Sequence, residues 1–330
     1  MKRNSLLDLL KLLASFGVVF GHTCQTYMGI NGIISAVGTF AVPFFFLISG
    51  YFSWGKQDES GYVKKKVGHV FEILLLGIFL CGLGYLLLRM IGMDTGANIS
   101  GYNIYRFLIF NASFFFLTSQ PLWFLLALIY CYLIFGILVK FQEIKVGYFM
   151  IPILLLGLFI GEVWHLNGII DMNYYYRNFL FEGIPFFMLG HWVHENEKKI
   201  KNAFLDIGLI IVFILGTSEI IYSKVVLGHS LDVYIGSVLI VFSLFVLAIK
   251  NNPKQISGKL FVLKKDLTMY IYVNHLFCYQ IVMGCIALTG IHISGSIIAV
   301  ITFILALFSG GIMDMFFQFA RKKRNGGKLC

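Results

Sequence analysis

The sequence predicts an all-α polytopic membrane protein, and three observations carry that prediction: its composition, the spacing of its apolar runs and the side on which its basic residues fall. Of 330 residues, 58% are hydrophobic and only 13% charged, and the mean hydropathy is +0.84. A water-soluble domain needs more charged surface than this, so that class is excluded. A hydrocarbon core about 30 Å thick takes roughly 20 apolar residues per helix. Runs of that order lie at 6–28, 32–54, 70–91, 117–139, 147–165, 174–193, 204–222, 231–249, 267–290 and 295–319.

Ten helices return both termini to one side, and the basic residues make that side cytoplasmic. Alternate connections carry Lys2 and Arg3, then Lys56 with Lys64 to Lys66, then Lys140 and Lys145. They continue with Lys198, Lys199 and Lys201, then Lys250, Lys254, Lys259, Lys264 and Lys265, and end with Arg321 to Arg324 and Lys328. These are 21 of the 26 Lys and Arg residues, whereas Arg89, Arg106 and Lys224 fall opposite. One missing or spurious span would scramble the alternation. The formal charge of +10 is thereby explained by loops facing anionic headgroups, which makes the lipid bilayer the partner and requires no nucleic acid.

Taken in order, the first run lacks a small-residue cleavage site before further apolar sequence, so it is expected to stay as the first helix and not to be removed as a signal peptide. The connection 92–116 is apolar enough to lie in the interface or re-enter the bilayer, but Asn103, Arg106 and Asn111 argue against a full span. "NYYY" at 173–176 has the character of an interfacial anchor. Cys24, Cys81, Cys131, Cys278, Cys285 and Cys330 form no CxxC pair, so they are expected to be small core residues and not a disulfide framework or a metal site. Without a repeat, a low-complexity tract or a water-soluble region, residues 1–330 are expected to form a single transmembrane domain with no extramembrane catalytic domain. Its chemistry then lies in or at the membrane.

The first helix carries three ionisable groups, Asp8, Lys11 and His22. At 100° per residue, the eleven steps from Lys11 to His22 make three turns plus about 20°, so the two share a face about 16 Å apart along the axis. Asp8, three residues before Lys11, and Ser15, four after it, join the stripe. Each charge in lipid costs on the order of 2.5–3.5 kcal/mol, so this face is expected to point into the bundle or a wet cavity. A structural ion pair near the interface with a core histidine is the plain alternative, but it must explain three groups on one stripe.

Arg3, Asp8 and a basic residue ten intervening positions before a His, followed by "FAVPFFFLISGYF" at 40–52, resemble the acyltransferase-3 family of integral membrane acyltransferases. The resemblance extends to "PLWFLLALIYCYL" at 121–133 and to the expected ten helices, and so covers most of the chain. The family motif has Arg where this chain has Lys11, which keeps the charge but loses the planar fork that grips a phosphate or carboxylate. The resemblance implies transfer of a short acyl group, most often acetyl, from cytoplasmic acyl-coenzyme A to a hydroxyl of an extracytoplasmic glycan or cell-envelope acceptor in a bacterial plasma membrane. Acyl-coenzyme A is then a co-substrate, with no tightly bound cofactor and no metal, and a homodimer is left open. It makes His22 the general base or the carrier of the acyl group. Lys11, Asp8, Ser15, Lys64, Lys65 and Lys66 fall on the donor side, and Ser49, Gly50, Trp123, Arg177 and His275 on the substrate pocket.

Each of these has a plainer reading from the residues alone. Ser49 and Gly50 make a small pair suited to helix packing, and Lys64 to Lys66 satisfy topology. His275, mid-helix beside Asn274 with Tyr272 and Tyr279 near, suits either a polar pocket or a core histidine bonded to a hydroxyl. His69, His191 and His194 fall at cytoplasmic helix ends, where interfacial solvation explains them. Arg177 suits an anionic or polyol acceptor or simple snorkelling; if helical, it lies about 140° from Glu182, so the two are expected not to pair. Glu162 and Glu219 lie near outer ends without further argument. Two other classes compete: a transporter or flippase of a glycan or lipid-linked substrate using Asp8, Lys11 and His22 as a relay, and a non-catalytic sensor or assembly partner. No inverted repeat favours the first, and the lack of an extramembrane domain weakens the second.

Overall fold

The computed structural model describes residues 4–24, 29–56, 61–93, 101–110, 121–251 and 267–324, with no side chains for 101, 102 and 320–324. Lys2, Arg3, Asn111, Lys254, Lys259, Lys264, Lys265, Lys328 and Cys330 lie outside the described residues, as do the side chains of Arg321 to Arg324. The described residues are helical, with no strand among them.

Helix α1 (Ser5–Thr23) starts at an Asn4 cap, whose side-chain oxygen accepts from Leu6 N at 3.0 Å and Leu7 N at 3.1 Å. Two of the orphan amides of the first turn are thereby satisfied. The Asn4 amide also donates to the Ala248 carbonyl at 2.7 Å, tying this end to the end of a later helix. The second expected span is two helices, α2 (Gly29–Gly38) and α3 (Ala41–Tyr51). The break falls at Thr39 and Phe40, where the Thr39 hydroxyl donates back to the Ala36 carbonyl at 2.7 Å. Pro43 sits in the first turn of α3, where a missing N–H costs nothing.

Helix α4 (Tyr62–Met90) begins eight residues before the expected apolar run, so the Lys64 to Lys66 tract is its first turns and not a loop. A ten-residue α5 (Gly101–Phe110) stands inside the 92–116 connection and is too short to cross a bilayer. Helices α6 (Trp123–Lys140) and α7 (Ile144–Leu166) follow. The sixth span is composite: a 3₁₀ turn at Asn173–Tyr175, a π-helical turn at Phe179–Gly183 and α8 (Ile184–Glu195). Then come α9 (Glu197–Ala203), α10 (Asp206–Ile221), α11 (Ile235–Lys250), α12 (Leu267–Thr289) and α13 (Gly295–Arg324).

Among the described residues, eight helical stretches are long and apolar enough to cross a membrane, and Ile235–Lys250 is apolar but shorter. The chain is therefore a polytopic membrane protein. Helix α12 packs along α13 and α4, α4 along α6, α10 along α11, and α3 along α8. At the α3–α8 crossing, a Cβ on Gly50 would lie 1.8 Å from the Phe187 carbonyl oxygen, and one on Gly190 would lie 1.9 Å from that of Leu47. Two backbones approach this closely only over glycine. Large apolar side chains such as Phe79, Phe149, Phe308 and Phe316 are exposed on the outside, as a lipid-facing surface requires.

Candidate active site

A cavity of about 850 Å³ opens at the end of the bundle that carries the basic helix ends. Lys56, Lys66, His69, Lys201 and Lys250 stand around it with Glu197, while Lys11 and Asp8 line it from α1. Five lysines against two carboxylates give it an anion-attracting balance. Lys66 arrives by helical period: Tyr62, Lys66, His69 and Val70 all line the cavity from one face of α4. Lys64 and Lys65 lie off that face, exposed and away from the lining.

The Lys11 ammonium donates to Asp8 Oδ1 at 3.2 Å and sits 5.6 Å from the Phe52 ring centre. Ser15 is buried and outside the lining; its hydroxyl donates to the Lys11 carbonyl of its own helix at 2.9 Å. Ser49 is in the lining, with its hydroxyl donating to the Phe45 carbonyl at 2.7 Å, whereas Gly50 serves the α3–α8 crossing and does not line the cavity. At the mouth, the Tyr51 hydroxyl donates to Glu197 Oε2 at 2.8 Å, and the Lys201 ammonium pairs with Glu197 Oε1. Burial alone would raise the Glu197 carboxyl, but the hydrogen bonds from Lys201 and Tyr51 outweigh it and hold the carboxyl below its ordinary value of 4.5. Lys250 pairs with Asp206 at 2.6 Å.

Phe124, near the start of α6, and Tyr272, in the second turn of α12, close the deep end, their rings 5.2 Å apart in a T-shaped contact. The Tyr272 hydroxyl donates to the Pro121 carbonyl, which fixes the ring across the floor. Behind it, His275 Nδ1 lies 2.6 Å from the Tyr272 carbonyl, and the His275 ring is 5.9 Å from that of His22. His275 is fully buried, while His22 is solvent-accessible. Lys11 thus lines the cavity while His22, on the same helix, does not; its ring lies beside His275 behind Tyr272.

Away from the basic end, a second polar cluster surrounds Arg177. Its Nη1 donates to Asp232 Oδ1 at 2.7 Å and its Nε to Glu182 Oε2 at 3.3 Å, and the guanidinium lies over the Trp123 ring at 5.2 Å. The expectation that Arg177 and Glu182 do not pair is wrong. Arg177 precedes the helix and the turn at Phe179–Gly183 is π-helical, so 100° per residue does not apply. Asn178 caps that turn, its side-chain oxygen accepting from Leu180 N at 2.9 Å and Phe181 N at 3.2 Å. Glu162 accepts from Val233 N at 2.7 Å and from the Tyr176 hydroxyl at 3.3 Å. Glu182 is fully buried, and its Oε1 has no hydrogen-bond partner. Trp123, under the Arg177 guanidinium, is the chain neighbour of Phe124, whose ring meets that of Tyr272, so this cluster lies close to the cavity floor.

Lys56, Lys201 and Lys250 were legible only as topology signals, and Glu197 and Asp232 carried no signal of their own. Which helix ends meet is a tertiary fact that no spacing encodes. Among the described residues, no group of three His, Cys, Asp or Glu could hold a metal ion, and Cys24, Cys81, Cys131, Cys278 and Cys285 are free thiols.

Comparison with known proteins gives one positive finding: a family model described as an acyltransferase domain matches residues 4–314. No curated protein and no solved structure matches the chain significantly.

Proposed function

The chain belongs to the acyltransferase-3 family, and from that premise we propose that it moves a short acyl group, acetyl first, from cytoplasmic acyl-coenzyme A to a hydroxyl of an extracytoplasmic glycan or envelope acceptor. The observation that carries this reading is the lysine-rimmed cavity whose aromatic floor backs onto the His275–His22 pair. The phosphates of the donor meet Lys56, Lys66, Lys201 and Lys250 at the mouth, where charge-assisted hydrogen bonds grip them. Lys11, braced by Asp8, meets the donor deeper. The pantetheine arm runs along the apolar wall toward Phe124 and Tyr272, and the thioester passes the Tyr272 floor to reach His22. His22 then takes the proton of the acceptor hydroxyl as the oxygen attacks the acyl carbon. The carbon–sulfur bond breaks, and His22 returns the proton to the departing thiolate.

The outer cluster favours a polyol over an anionic acceptor. Arg177 is already committed to Asp232 and Glu182, so an anion would meet carboxylates where it needs a cation. Asp232, whose side chain in this cluster is partly exposed, can accept from a hydroxyl of the acceptor. In this reading the protein is a multi-pass protein of the bacterial plasma membrane with both termini cytoplasmic and ten crossings.

The test is purified protein given radiolabelled acetyl-coenzyme A and cell-envelope glycans. Label on the acceptor with wild type and its loss in a folded His22→Ala variant support the reading; equal transfer by the variant refutes it. The cavity open at one end and His22 accessible beyond its floor also suit a flippase with Asp8, Lys11 and His22 as relay. That alternative predicts movement of unmodified acceptor across a vesicle membrane without acetyl-coenzyme A.

A further inference from the structure

His275 has one ring nitrogen committed and one idle. Its Nδ1 lies 2.6 Å from the Tyr272 carbonyl oxygen. A carbonyl only accepts, so Nδ1 carries the proton and Nε2 of the neutral ring keeps a lone pair. The residue is fully buried, and Nε2 has no hydrogen-bond partner. Buried acceptors are rarely left so, and an idle one beside a reaction site needs a reason.

Two rings flank it, Tyr272 at 6.0 Å and His22 at 5.9 Å with the imidazole planes tilted by 32°. The Tyr272 hydroxyl is spent on the Pro121 carbonyl. Asn274, the polar neighbour on α12, turns to Ser309 of α13 at 2.9 Å. Of the two flanking rings, that of His22 carries ring nitrogens able to donate. Because His275 is fully buried, it meets an acceptor substrate only through His22.

We propose that His275 is a positioning residue for His22. When the two rings close from their 5.9 Å separation, its Nε2 accepts the N–H of His22, which selects the tautomer whose other nitrogen is free for the acceptor hydroxyl and steadies the imidazolium that forms. The pairing rests on the acyl-transfer reading. The balance of the step is unchanged: the oxygen–acyl bond forms, the carbon–sulfur bond breaks, and the hydroxyl proton passes through His22 to the thiolate. The proton of His275 stays on Nδ1, donated in a hydrogen bond to the Tyr272 carbonyl, and nothing is oxidised.

The experiment compares wild type, His275→Ala, His275→Gln and His275→Met in the transfer assay, with thermal stability in detergent measured alongside. His275→Ala is expected to lower kcat about 10²-fold with the KM for acyl-coenzyme A unchanged. His275→Gln, whose amide oxygen still accepts, recovers part of that loss, and His275→Met, which fills the space without an acceptor, does not. Equal kcat in the Gln and Met variants overturns the pairing, and that comparison decides it even if His275→Ala does not fold. A readout independent of transfer is the rate at which diethyl pyrocarbonate modifies His22, followed by peptide mass spectrometry. Removing the acceptor at 275 slows the reaction several-fold in the Met variant and less in the Gln variant; an unchanged rate overturns the pairing. Wild type that transfers nothing while this rate responds refutes the acyl-transfer reading and leaves the pairing standing.

Discussion

Lys11 holds an ion pair and a place in the cavity wall together: Asp8 Oδ1 accepts a hydrogen bond from its ammonium at 3.2 Å while the Phe52 ring packs near it. A lysine so placed is a point charge without the fork of an arginine. Lys11→Ala should raise the KM for acyl-coenzyme A about tenfold, equivalent to about 1.4 kcal/mol of donor binding, while Lys11→Arg should keep or lower it; steady-state kinetics at fixed acceptor checks both. At the mouth, Glu197 is held below its ordinary value by Lys201 and Tyr51. A depressed carboxyl contributes stability above the unfolded-state value and loses it as the pH falls through the folded one. Glu197→Gln should therefore melt below wild type at pH 7, and the gap should close as the pH drops below 4.5, followed by thermal unfolding across that range. The charged stripe of α1 was legible in the sequence because helical period alone sets it. That Lys11 lines the cavity while His22 lies beside His275 was not, because Tyr272 and His275 come from α12, more than 240 residues on.

Helices α3 and α8 meet backbone to backbone at Gly50 and Gly190. Gly50→Leu would force them apart and should cost at least about 1–3 kcal/mol, read as a lowered unfolding temperature. A Ser49→Ala change one residue away should lower that temperature far less, since it removes one hydroxyl and leaves the backbone approach of α3 and α8 intact. The outcome separates the packing role of position 50 from the cavity-lining role of position 49. Apolar runs made the long helices legible to within a few residues: α12 spans Leu267–Thr289 against the expected 267–290. They did not reveal the break at Thr39 and Phe40, because both halves are equally apolar and a side-chain hydrogen bond to Ala36 makes the turn. Nor did they reveal the π-helical turn that brings Arg177 to Glu182. Hydropathy reports burial in lipid and is blind to a local change of helical pitch.

Across the whole molecule the end that holds the cavity is basic and the far end carries Arg177 amid Glu162, Glu182 and Asp232. Long-range attraction of this kind is screened by salt, so donor KM should rise with ionic strength, and Lys56→Gln with Lys250→Gln should flatten that dependence. The sequence carried the side on which the lysines lie but not their convergence, since Lys56, Lys66, Lys201 and Lys250 come from four separate helix ends. On the proposed function, donor and acceptor meet the protein on opposite faces, so transfer is vectorial. The most direct test is purified protein in sealed vesicles, its orientation fixed by protease access to the basic loops, with labelled acetyl-coenzyme A supplied on one side and glycan acceptor on the other. The account predicts label on the acceptor only when acetyl-coenzyme A is on the side of the basic loops and the acceptor is opposite, and none with His22→Ala. Transfer with both substrates confined to the basic side, or undiminished transfer by His22→Ala, would contradict it.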